Sequence, residues 1–188
     1  HAQFETVHPF IDGNGRTGRA LVHLIFQRRS LVTQTVVPVS TVLLADPDSY
    51  FDGLELYRRG ALDEWVQMFA AAAALAATSG AQLGGQLRDI ADDWNTTAHP
   101  RAGSAVKKLL DGLVRQPVVD IDQVAKLCPG VASTNLHRAV NRLVEAGILA
   151  PITTGKRNQV WAATDVIDLL ERFEKDVIGR RKPSSTAR

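Results

Sequence analysis

His8-Pro-Phe-Ile-Asp-Gly-Asn-Gly-Arg-Thr-Gly-Arg19 is the stretch from which the rest of the chain is read. It sets a titratable base, a carboxylate, three glycines, an Asn and two arginines side by side. Almost nothing in it after Phe10 gains from burial, so packing does not account for the mixture. Gly13 and Gly15, lacking a Cβ, can adopt positive φ and bring backbone N–H groups close to a ligand. From about Thr17 the pattern turns helical, and Ala20, Leu21, Leu24 and Ile25 are the expected buried stripe. A glycine-containing loop that opens a helix presents unpaired N–H donors and the positive end of the macrodipole, which together favour an anion. Arg16 and Arg19, three apart, point the same way on a first helical turn and carry forks that suit phosphate oxygens. Asp12 has no lysine beside it, so a hard cation such as Mg²⁺, shared with phosphate, is its expected partner. His8 carries an imidazole, the side chain suited to take a proton from an attacking hydroxyl. Each residue alone reads as surface loop or half-buried histidine. Together in one short span they read as a receptor for a phosphate chain.

The span resembles the Fic family motif, H-x-F-x-[D/E]-G-N-G-R-x-x-R, with every defined position filled. The resemblance extends upstream through Ala2, Phe4, Glu5 and Val7. Downstream it runs through Asp48-Ser-Tyr50-Phe51 and Leu54 to Trp65, and so covers about the first half of the chain. It implies transfer of a nucleoside monophosphate, usually AMP from ATP, onto a Ser, Thr or Tyr hydroxyl of a target protein. Carried over by position, His8 would be the base and Asp12 the Mg²⁺ ligand. Asn14 with the backbone of Gly13 and Gly15 would line the anion hole, and Arg16 and Arg19 would bind the outer phosphates. Thr17 and Gly18 complete the phosphate-binding run, and Tyr50 and Phe51 would border the nucleoside. The kinase branch, the Doc toxins, carries Lys where this chain has Gly15, so glycine favours nucleotidyl transfer. Relatives also transfer UMP, or phosphocholine from a CDP carrier, with the same residues, so the base is not fixed by the motif.

The resemblance further implies helices and a β-hairpin flap ahead of the motif, on which the target segment would lie by strand addition. Many relatives also carry an upstream inhibitory helix, S/T-x-x-x-E, whose Glu pairs with the second motif arginine. The sequence begins at His1, seven residues before His8. It is therefore read as the C-terminal part of a longer protein, with that N-terminal segment as a partner, and residues 1–188 alone are expected to transfer poorly.

The chain has 188 residues, 45% of them hydrophobic, and a net charge of +2. That apolar share is typical of globular proteins and argues against overall disorder. The longest low-polarity run, Met68 to Ala77, is too short to span a bilayer and mostly alanine, so no membrane contact is expected. The single cysteine, Cys128, excludes an intramolecular disulfide framework and suits a reducing cytoplasm. The Ala70–Ala77 stretch reads as a close-packed helix, with a homodimer interface as the sharper alternative.

The expected fold is mainly α: a Fic-type helical core, incomplete at its N-terminus, followed by a small α+β winged-helix domain. Residues 1–95 form the core, 96–103 a linker, 104–178 the second domain and 179–188 a disordered basic tail. Val36 to Leu44 leaves strand and helix open by periodicity, and the resemblance favours a short helix near Pro38. Asp48 is the expected cap of a helix running to Arg59, and Gly84-Gly85 an expected helix break.

In the second domain, helical stripes at Ala105–Leu113 and Leu136–Val144 alternate with short apolar runs at Val118–Ile121, Ile148–Pro151 and Gln159–Ala162. The order helix, strand, helix, turn, helix, hairpin resembles a winged helix-turn-helix. Its recognition helix would expose Asn135, Arg138, Asn141 and Arg142, and its wing tip Lys156 and Arg157, residue types that read base edges or phosphates. DNA is thus a candidate partner, and a DNA-binding regulator with an incomplete or vestigial core is the alternative function. Against it, Ala105 to Val177 holds ten Lys and Arg against nine Asp and Glu, a weak electrostatic footprint.

Overall fold

A computed structural model describes residues 1–32, 37–155 and 158–179. Among these the chain is mainly helical with one small sheet, in the order α1 (Ala2–Val7), α2 (Asn14–Arg28), α3 (Val39–Leu44), α4 (Pro47–Arg58), α5 (Leu62–Ala98), α6 (Ala105–Leu113), β1 (Val118–Asp120), α7 (Ile121–Leu127), α8 (Ser133–Glu145), β2 (Ala150–Pro151), β3 (Val160–Ala162) and α9 (Thr164–Gly179). Two compact units result among the described residues: His1–Gln82 with residues 174–179, and Leu83–Phe173. The tail from Arg180, the expected wing-tip residues Lys156 and Arg157, and Val36 lie outside the described residues.

In the first unit, Ala2, Leu54 and Trp65 form a small core, with Tyr50, Tyr57, Met68 and Phe69 packed on it. Val42, Ala72 and Ala76 are fully enclosed as well. Helix α2 begins earlier than its apolar pattern suggests, at Asn14, because Gly13 turns the chain at φ 83 and allows the helix to start directly behind it. Its buried positions are Asn14, Gly18 and Val22, spaced by four. The expected stripe is instead open, with Leu24 58% and Ile25 49% exposed. Periodicity located the apolar stripe of α2, but the face that packs among the described residues is the one carrying Gly18. Helix α4 is capped by Asp46 rather than Asp48: the Asp46 side chain accepts from the Ser49 N–H at 3.1 Å, and Pro47 holds the first helical position.

Helix α5 runs unbroken through Gly84 and Gly85, to Ala98. Two interior glycines cost roughly 1 kcal/mol each. Leu87, Ile90, Trp94 and Ala98 beyond them dock into the second unit's core and hold the helix together. The expected linker therefore starts as helix, and Pro100 follows once the helix has ended. The 37 residues of α5 include an 18-residue window of mean hydropathy 1.2, so by length and composition this helix is long and apolar enough to cross a membrane. The shortness of Met68–Ala77 consequently no longer argues against a span, although core helices of soluble proteins meet the same criterion.

The second unit is built around Leu109, Leu110, Leu113, Val119, Val124, Val140, Leu143 and Trp161. Ser104 caps α6 by accepting from the Lys107 N–H, and Asp120 with Gln123 forms a reciprocal capping box on α7. The sheet order is β1-β3-β2, antiparallel throughout, with Val119 opposite Trp161 and Pro151 on the edge strand, where its missing N–H is tolerated. Cys128 is enclosed, its Sγ 3.5 Å from the Ala105 carbonyl, and burial pushes its thiol pKa up.

Candidate functional site

Three consecutive pieces of the first unit build the site: the end of α1, the loop after it and the first turn of α2. His8 is the C-cap of α1, at φ 50 and ψ 57, and its N–H donates to the Phe4 carbonyl at 2.9 Å. A left-handed conformation at a non-glycine costs on the order of 1 kcal/mol and is found preferentially where function needs the geometry. The ring is exposed, and its Nδ1 lies 3.4 Å from the Glu5 carbonyl oxygen. A carbonyl only accepts, so this contact favours the proton on Nδ1 and leaves the Nε2 lone pair to act as base.

The loop is closed by Asn14. This side chain is 3% exposed; its Oδ1 accepts from the Phe10 N–H at 2.9 Å and its Nδ2 donates to the Phe10 carbonyl at 2.5 Å. Its amide therefore holds the shape of the loop, where the sequence assigned it to the anion. Gly13 caps α2 without a side-chain bond, and its carbonyl accepts the Thr17 N–H. The N–H groups of Asn14, Gly15 and Arg16 are then the helix's unpaired first donors, available to an anion.

Charged groups surround those donors. Asp12 Oδ1 accepts from the Gly13 N–H at 2.6 Å, and Oδ2 pairs with Arg16 Nη2 at 3.2 Å. Both side chains are largely exposed, so the pair contributes no more than about 1 kcal/mol and can open to a ligand. A Cβ added at Gly13 would lie 3.6 Å from Arg16 Nη2, and one at Gly15 would lie 3.3 Å from Arg19 Nη1. Both guanidinium groups thus lie close to the glycine backbone at the start of α2. A side chain at Gly15 would press on the Arg19 guanidinium, whereas at Gly13 the contact is ordinary and the positive φ is what disfavours a side chain.

Gly18 does not share this arrangement. It is buried and faces Glu5 and His1. Tyr50 is half-buried on α4, its hydroxyl 3.0 Å from His1 Nε2, in a ring cluster with His1, Phe51 and Trp65. Burial, then the Glu5 carboxylate, pushes its pKa up to about 12, while Arg19 and Arg58 pull the other way. Tyr50 is thus within electrostatic reach of Arg19, and Phe51 beside it is exposed. The sequence reading missed His1 and Glu5. The signal that could have found Glu5 is Gly18 itself, a glycine inside a helix with no turn to explain it. No group of three or more His, Cys, Asp or Glu capable of holding a metal occurs among the described residues. Asp12 alone fits an ion that takes one carboxylate and completes its shell with phosphate and water, the habit of Mg²⁺.

In the second unit, Asn135, Arg138 and Asn141 lie exposed on α8, with Arg138 Nη1 donating to Asn135 Oδ1 at 3.1 Å. Arg142 is used differently. Its Nη2 donates to the Ala98 carbonyl at 2.6 Å and lies 3.3 Å from that of His99, and so it satisfies the C-terminal end of α5. From Gln123 to Val144 the chain has no carboxylate, although the domain as a whole is nearly neutral.

Against known families, residues 1–26 match the family model described as Fic/DOC family. The match covers α1, the loop and most of α2, which are the elements that carry His8, Asn14 and the two arginines.

Proposed function

We propose that this site transfers a nucleoside monophosphate, AMP from ATP in the first instance, to a hydroxyl of a target protein. The observation that carries the reading is the convergence, on one loop and helix start, of an Nε2 base, three unpaired N–H donors and two arginines over glycine backbone. His8 Nε2 takes the proton of the target hydroxyl, and that oxygen forms a bond to the α-phosphorus. The bond from phosphorus to the pyrophosphate oxygen breaks, and pyrophosphate leaves with its electron pair. Such chemistry asks for positioning and charge neutralisation more than covalent help. The N–H groups of Asn14, Gly15 and Arg16, with Arg16 and Arg19, would hold the phosphate chain. Asp12 would hold Mg²⁺, which supplies neutralisation of the phosphate charge. Tyr50 and Phe51 would border the nucleoside.

The test is to incubate the chain with candidate target proteins and labelled ATP, UTP and CTP, beside calorimetric binding of ATP with Mg²⁺. Weak label from one nucleotide, lost in His8→Ala while nucleotide binding persists, is the expected result. Undiminished label in His8→Ala would refute the role of that side chain. Failure of the chain to bind any nucleotide would refute the site.

A second reading is favoured by the carboxylate-free stretch from Gln123 to Val144, which includes α8. In a winged-helix arrangement α8 would enter the major groove of duplex DNA, with Asn135, Arg138 and Asn141 at base edges or phosphates. Arg142, exposed on the same helix and bonded through Nη2 to the end of α5, would add a further guanidinium to that face. Salt-sensitive retardation of duplex DNA, abolished by Arg138→Ala, is expected; binding that ignores salt or survives the substitution would dismiss it.

A further inference from the structure

Gly18 lies in the second turn of α2, inside the helix, where no turn of the chain requires a glycine. A Cβ there would fall on Oε1 of Glu5, and would also lie 3.3 Å from Nδ1 of His1. The absent side chain is thus what allows the Glu5 carboxylate to sit against the α2 backbone. That carboxylate is nine-tenths buried. Its Oε1 accepts no hydrogen bond among the described residues and has His1 Nδ1 at 3.9 Å. His1 Nδ1 also faces the Gly18 carbonyl at 3.3 Å, and its Nε2 meets the Tyr50 hydroxyl. Glu5 and His1 therefore link α1 to α2 and α4. An enclosed carboxylate with so few partners is costly, and an apolar side chain would fill the same space more cheaply. Packing alone does not explain it.

The same residue touches the base. The main-chain carbonyl of Glu5 is the oxygen that faces His8 Nδ1. We propose, resting on the nucleotidyl-transfer reading, that Glu5 is a positioning residue: seated on Gly18 by its side chain, it holds α1 so that its carbonyl fixes the His8 tautomer. Gly18 then belongs to the support of the base and not to phosphate binding. Displacing Glu5 moves the carbonyl, lets the His8 proton choose either nitrogen, and leaves the phosphate-holding groups in place.

The experiment compares wild type with Gly18→Ala, Glu5→Ala, Glu5→Gln and the Gly18→Ala/Glu5→Ala double variant. Three readouts are taken: ¹⁵N NMR of the His8 ring, ATP binding, and labelled AMP incorporated per folded molecule. Wild type should show the Nδ1–H form, and both alanine singles a mixture of tautomers. Transfer in those singles should fall on the order of 10- to 100-fold with ATP affinity unchanged. Glu5→Gln, which keeps the shape of the wedge, should retain the wild-type His8 spectrum. The double variant should be no worse than Glu5→Ala, because the methyl then occupies the vacated space. A mere loss of folded protein would leave the His8 spectrum of the folded fraction unmoved. Should Gly18→Ala fail to fold, the Ala and Gln variants at Glu5 decide alone.

An unchanged His8 spectrum in the folded alanine variants would overturn the proposal. So would a Gly18→Ala variant whose ATP affinity falls as far as its transfer. If wild type neither binds ATP nor transfers label, the nucleotidyl-transfer reading fails by itself. The tautomer spectra then still settle Glu5: a changed spectrum sustains its role in holding His8, and an unchanged one ends it.

Discussion

Asn14→Ala separates two roles for the most deeply buried polar residue of the motif. If the side chain acts on the loop, both its bonds to Phe10, at 2.9 and 2.5 Å, are lost at once. Each is worth about 1 kcal/mol net. The Phe10 side chain is half-exposed, so water can reach this region and limit the penalty for the orphaned groups. The closed loop should therefore lose about 2 kcal/mol, roughly a 30-fold shift toward open forms. Hydrogen exchange at the Phe10 amide, measured without nucleotide, should accelerate by up to about that factor. ATP affinity should fall by a comparable or smaller factor, since the closed loop must be restored before the N–H groups align. The two measurements have to move together. Unchanged exchange at Phe10 with ATP affinity lost would mean that Asn14 contacts the nucleotide directly, and would refute the loop-closing role. Unchanged values of both would show that Gly13 and the helix start hold the loop unaided.

Other outcomes follow from single contacts. Trp94→Phe removes the 2.9 Å bond from Nε1 to Asp165 Oδ2, a donor to a charged acceptor, and should cost the second unit about 1.5–3 kcal/mol in urea unfolding. Leu109→Ala empties a fully enclosed site in the same core and should cost about 2–5 kcal/mol by the same assay. Tyr50 stays neutral in the folded chain up to about pH 12, while its unfolded value is 10.0. The unfolded form therefore releases its proton first as pH rises, so the stabilising contribution is intact below pH 10 and is lost between 10 and about 12. Absorbance titration of tyrosinate should show a late component that disappears in Tyr50→Phe.

How much was legible depended on what kind of interaction fixed each feature. Local chemistry was readable: a glycine pair before an apolar run marks a helix start. The alternating stripes of α6 and α8 could only be core, and Leu109, Leu113, Leu136 and Leu143 are buried there. Boundaries set by competition were not readable. Asp46 outcompeted Asp48 because Pro47 sits at the first helical position. The helix through Gly84 and Gly85 survives because residues far along it are anchored in a core, and no window around the glycines contains that information.

The sequence by itself determined the chemistry that can occur here: a base, a carboxylate, exposed amides and two guanidinium groups follow from residue type and spacing. Tertiary structure decided the duties within that set. Asn14 turned inward to Phe10, Gly18 was claimed by Glu5, Arg142 by the end of α5, and the stripe of Leu24 and Ile25 was left open. The physical reason is that residue type fixes what bonds a group can make, while the choice among partners is settled only when distant segments compete for the same atoms and space.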